Sequence, residues 1–184
     1  MTEVEWWYIT WGFTNDDQKK AMMEIVNSGS DRAVGILAAT MLEDRLLDCL
    51  KRHLVTDNRD INNSFFGVGG IAGDFGAKIQ FAYLLGVISE PGMKDLKTIS
   101  RIRNKFAHEL LARDFQSNSV KNLCMNLKLV EERVREILPL GDPRGESIPL
   151  PALKDPKQKF MYAVNNFMSA LLASYPRTPL RPLF

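Results

Sequence analysis

Ile99-Ser100-Arg101-Ile102-Arg103-Asn104-Lys105-Phe106-Ala107-His108 reads as a single amphipathic helix. At about 100° per residue, Ile99, Ile102 and Phe106 take an apolar side, while Arg101, Asn104 and His108, spaced i, i+3 and i+7, take a neighbouring polar one. Arg103 falls at the border between them. The apolar side calls for burial against other helices, and the polar side carries one of only two histidines in the chain.

Toward the N-terminus, Ser30-Asp31 caps a long helix. Its stripe runs through Val34, Leu37, Ala38, Met41, Leu42, Leu46, Cys49 and Leu50, ends near Leu54, and is interrupted by Glu43, Asp44 and Arg45. Thr14-Asn15-Asp16-Asp17 opens an earlier helix that stops at Ser28-Gly29. After a polar turn at Asp57-Asn58-Arg59-Asp60, residues 65–76 are glycine-rich and apolar at once. The lysine-serine/threonine pair of a phosphate-binding loop is missing there and no strand precedes it, so a buried connector is expected. Asp74 caps a helix running to Val87.

Two further helices are expected, from about Lys94 to Ala112 with the opening motif and from Ser117 to Ile137. A last one runs from Lys157 to about Tyr175. No β-period is sustained, which predicts an all-α, single-domain bundle of about six helices. Its parts are an aromatic N-terminal segment (1–15), the helical domain (16–175) with a proline-rich loop at 138–156, and a proline-rich tail (176–184).

The 184 residues are 45% hydrophobic and 25% charged, enough for a core without staples. Cys49 and Cys124 sit in helical patterns without metal-ligand spacing, so reduced core thiols, no structural metal and no cofactor are expected. No apolar run reaches a membrane span and Met1-Thr2-Glu3-Val4-Glu5 lacks a basic start, which predicts a cytoplasmic protein. A net charge of +2 is too mild for bulk attraction to nucleic acid. Any anion site must be local.

Lys94, Lys97, Arg101, Lys105 and His108 follow i, i+3, i+7, i+11 and i+14, a basic stripe able to lie along phosphates or simply to face water. Arg103, Asn104 and His108 support a catalytic reading. His108 would move a proton at an RNA 2′-hydroxyl, with its ring held by Asn104, and Arg103 or Arg101 would stabilise the phosphorane-like charge without a metal. The competing reading is structural, with Arg103 paired to Glu43 or Asp44 to fix helix register. His53 is expected as a partner of its helix C-terminus without chemistry.

Four blocks of the chain occur in the order found in the mannitol-repressor (MltR-like) family of bacterial regulators, which it resembles from about Ser28 to Leu138. They are Ser30-Asp31-Arg32-Ala33; Ile36-Leu37-Ala38-Ala39 with Leu42-Glu43-Asp44-Arg45-Leu46; Phe75-Gly76-Ala77-Lys78-Ile79 leading into Ala82-Tyr83-Leu84-Leu85-Gly86-Val87-Ile88; and Ile102-Arg103-Asn104-Lys105-Phe106-Ala107-His108. Arg103 with His108 also resembles the Arg-x(4–6)-His pattern of HEPN ribonuclease domains. The first resemblance implies a transcriptional regulator. The second implies a dimerising bundle and metal-independent RNA cleavage at a composite site. No helix-turn-helix is apparent, so contact with specific DNA is not expected, and a homodimer working through a protein partner fits better.

Overall fold

The computed structural model describes residues 29–54, 58–129 and 154–174, together with positions 16, 17, 20, 24 and 27, which are helical. The aromatic segment, the tail and nearly all of the proline-rich loop lie outside the described residues. The described chain is all-α, without strands, and holds six helices: α1 (Asp31–Arg52), α2 (Arg59–Phe66), α3 (Phe75–Leu84), α4 (Glu90–His108), α5 (Asn118–Met125) and α6 (Pro156–Leu172).

Helix α1 is the centre, packed against α4 and α6, with α3 beside α1 and α4 and with α5 between α4 and α6. Its expected stripe is buried at Val34, Ala38, Met41, Leu42, Leu46, Cys49 and Leu50. Arg45, expected to interrupt the stripe, is buried with it. At Gly35 an added Cβ would come within 2.4 Å of the Phe106 ring, so this position lets α1 and α4 approach where no larger residue fits. The Phe106 ring meets Phe115 edge-on at 4.9 Å, and Phe115 meets Phe160 of α6 at 5.2 Å. The apolar side of the opening motif is therefore the middle of the core, and Ile99, Ile102 and Phe106 are fully buried.

Local signals set most helix starts. Ser30, Asp74, Ser89 and Asp155 each accept a first-turn backbone N–H. Helix α3 stops at Leu84, earlier than expected, because Gly86 at φ +67° turns the chain back. Its N–H donates to Tyr83 and that of Val87 to Ala82, the paired bonds of a Schellman cap. Helix α2 was not expected at all. Asn58 accepts the N–H groups of Asp60 and Ile61 and converts the anticipated polar turn into a helix start.

Two expected helices are shorter for tertiary reasons. Helix α4 ends at His108, not Ala112, and α5 ends at Met125, not Ile137. Buried Asp95 of α4 accepts the N–H groups of Lys128 at 3.0 Å and Leu129 at 2.9 Å just after the break, and positions 130–137 of the expected helix lie outside the described residues. The ammonium of fully buried Lys159 takes the Met125 carbonyl at 2.8 Å. That bond satisfies one of the orphan acceptors at the end of α5.

Among the described residues no helix is long and apolar enough to cross a membrane.

Candidate functional site

Helix α4 leaves Arg101, Asn104 and His108 exposed on the side opposite its buried stripe. Ser89 and Pro91 start the helix, and Ile99, Ile102 and Phe106 lock its rotation against α1, so the polar face is aimed by the core. Arg103 is half-buried and donates from Nη1 to Asn104 Oδ1 at 3.0 Å. This bond corrects two expectations. Asn104 orients the guanidinium of Arg103 and not the His108 ring, and Arg103 has no carboxylate partner among the described residues.

The acid expected to hold Arg103 is committed elsewhere. Glu43 Oε1 pairs at 2.7 Å with the buried ammonium of Lys78, which also donates to the Gly73 carbonyl at 2.8 Å. Asp44 is exposed, and its carboxyl is pushed above the usual range by partial burial and then by Glu43 and Asp48. Register between α1 and α3 is therefore held by Lys78 and Glu43, and the Arg103 guanidinium stays at the surface.

The basic stripe is partly neutralised on its own helix. Lys94 pairs with Glu90 at 2.6 Å and Lys105 with Glu109 at 2.7 Å, both at i,i+4 spacing. The carboxyls of Glu90 and Glu109 are held below their ordinary range, first by those lysine hydrogen bonds. Lys97, Arg101 and His108 keep no acidic partner among the described residues.

One positioning residue was not singled out for a role from the sequence. Arg32, in the first turn of α1, donates from Nε to the Phe106 carbonyl and from Nη2 to the Glu109 carbonyl at 2.7 Å. It thereby caps the turn of α4 that carries His108. A cation in a helix's first turn faces the positive end of the dipole, and that local mismatch is the signal that it serves another helix. Lys159, also near a helix start and buried, repeats the device at the end of α5. Arg52 does the same from the end of α1, donating to the Leu171 carbonyl at 2.6 Å.

The remaining candidates carry structure. His53 Nδ1 donates to the Cys49 carbonyl at 2.8 Å at the end of α1. Cys49 and Cys124 are free and buried, and burial pushes the Cys124 thiol up to about 12, so it is a thiol and no nucleophile at neutral pH. In the glycine-rich segment the N–H groups of Gly67, Gly70, Ala72 and Gly73 donate to Asn63, Gly67, Phe65 and Gly70 carbonyls. Those four donors are spent on closing the loop itself. The connector is not wholly buried as expected, since Val68 and Ile71 at its tip face solvent. Among the described residues no three His, Cys, Asp or Glu side chains gather as a metal-binding group.

Past His108 the backbone leaves the helix and displays Leu110 and Leu111, 84% and 83% exposed. Helical spacing alone carries α4 through both leucines and assigns them no role. Comparison of the chain with known protein families, characterised proteins and solved structures finds no match.

Proposed function

We propose that this chain is a repressor-type transcriptional regulator resembling the mannitol-repressor family, acting through protein contacts and not by reading DNA bases. The observation that carries the reading is the surface at the end of α4, where Leu110 and Leu111 stand exposed beside the polar face of Arg101, Asn104 and His108. Exposed leucines next to guanidinium groups that have no acidic partner among the described residues suit a protein interface better than a phosphate backbone. The pairing of Lys94 and Lys105 to their own glutamates points the same way, since it removes two of the stripe's charges from any polyanion. A homodimer and a cytoplasmic address belong to this reading.

The test is a transcript profile of cells lacking the protein, restored with the wild-type chain, with footprinting of the purified protein on each responding promoter. A derepressed operon that is silenced again, with no footprint from the protein alone, is the expected result. A footprint from the protein alone overturns action through protein contacts, and an unchanged profile overturns the regulatory role.

A second reading, a metal-independent endoribonuclease, is favoured by the open Arg103–Asn104 pair with His108 exposed one helical turn beyond it. In it His108 handles the proton of the attacking 2′-hydroxyl or of the leaving oxygen, and Asn104 aims Arg103 at the charge developing on phosphorus. Labelled RNA incubated in EDTA is cut by the wild type and by neither Arg103→Ala nor His108→Ala on this reading. RNA left intact by the wild type at every concentration overturns it.

A further inference from the structure

The turn between α4 and α5 is gripped at both ends by the start of α1. Arg32 holds the Phe106 and Glu109 carbonyls, and Asp31 Oδ2 accepts the Phe115 N–H at 3.2 Å while its Oδ1 is paired with Lys157 Nζ of α6 at 2.7 Å. Inside that frame the Ala112 N–H donates to the Glu109 carbonyl at 3.2 Å, and Ala112 and Phe115 are buried. With Ala112 and Phe115 committed to the core, Leu110 and Leu111 are left pointing into water. A surface that covers them removes apolar area from solvent without first ordering a loop.

The rim of this knuckle is cationic. Arg113 follows Leu111 by two residues, His108 precedes Leu110 by two, Arg101 and Arg103 lie on the last turns of α4, and none of the three arginines has an acidic partner among the described residues. Of the two carboxylates on the turn, Glu109 is paired with Lys105 and Asp114 keeps its charge while accepting from Ser117, so the three arginines still outweigh them. A phosphate backbone would satisfy the charges but gives two aliphatic side chains no apolar surface to cover them. A second copy seated knuckle to knuckle would set like charge against like.

We propose that Leu110 and Leu111 are the anchor for a protein partner that presents an apolar groove rimmed by aspartate or glutamate. The proposal rests on the protein-contact reading above and specifies the kind of partner.

The probe is a designed antiparallel helix pair whose leucine-lined groove is rimmed by glutamate, with a lysine-rimmed twin as control, each titrated into the full chain by fluorescence anisotropy. The glutamate probe binds, the twin does not, and binding falls as salt is raised. Leu110→Ser with Leu111→Ser weakens it by at least about tenfold, as removal of an interface anchor does. Both positions are exposed, so the variant keeps the wild-type urea midpoint. Equal binding of the two probes, no binding of either, or insensitivity to the leucine variant overturns the proposal. So does self-association or RNA binding that the leucine variant abolishes, since either result gives the knuckle to a different occupant. Regulation of transcripts that persists without probe binding overturns the partner chemistry alone, whereas probe binding with an unchanged transcript profile overturns the regulatory reading alone.

Discussion

The connector at 67–73 and the turn at 109–115 both lift apolar side chains into water, yet they are held in opposite ways. Val68 and Ile71 ride on a loop closed by its own backbone, with hydrogen bonds of 2.9 to 3.0 Å to carbonyls a few residues away. Leu110 and Leu111 ride on a turn whose grips come from Arg32 and Asp31, at sequence separations of 74 to 84. The first is a local object that α2 and its glycines specify. The second exists only once α1 has docked on α4, and its display of two leucines depends on tertiary structure.

The sharpest way to break that contrast is to remove the core beneath the turn. Phe106→Ala, which deletes a fully buried ring packed edge-on against Phe115, should cost about 3–5 kcal/mol in urea unfolding. A cost below about 1 kcal/mol would mean that the turn does not lean on this ring. Next in size is Arg32→Ala, which strips two charge-assisted bonds from the end of α4 and should cost about 1.5–3 kcal/mol. Its amide exchange should speed up from Glu109 to Ala112 and stay unchanged from Gly67 to Gly73. Equal acceleration in both segments would refute separate control.

The converse change is Gly70→Ala. Its Cβ would sit 2.5 Å from the Phe65 and Ser64 carbonyls, so the loop must open, at about 1–3 kcal/mol. Here exchange should rise at Gly67–Gly73 and leave Leu110 and Leu111 as they were.

The smallest effect belongs to pH. The Glu109 carboxyl is held below its ordinary 4.5, mainly by the Lys105 hydrogen bond. Its contribution is therefore present above that value and fades as pH falls through the lowered one. Because the pair is exposed, the effect should be slight. Urea midpoints measured from neutral into acid should fall less for Glu109→Gln than for the wild type, and parallel curves would show that the pair contributes nothing.

Much of the bundle was legible in one dimension because its causes are local. The stripe from Val34 to Leu50 repeats at helical spacing, and the caps at Ser30 and Asp74 precede the turns they bind. The polar face of Arg101, Asn104 and His108 was legible for the same reason, since spacing on a helix settles which side chains stand together. Partners were not. Periodicity placed Arg103 near Glu43 as readily as near Asn104, and nothing in spacing says that Lys78 reaches Glu43 first. The breaks at Glu109 and Asn126 were hidden as well, because the groups associated with them, Arg32 for one and Asp95 with Lys159 for the other, come from distant parts of the chain.

By itself the sequence determined an all-α chain, the burial of one side of the motif helix and the exposure of the other, because apolar period and capping act within a few residues. Only the tertiary structure decided where that helix stops, which acid each cation meets and that two leucines are thrust outward. Those outcomes depend on which backbone groups are left unsatisfied when helices dock, and charged side chains from other helices are what satisfy them.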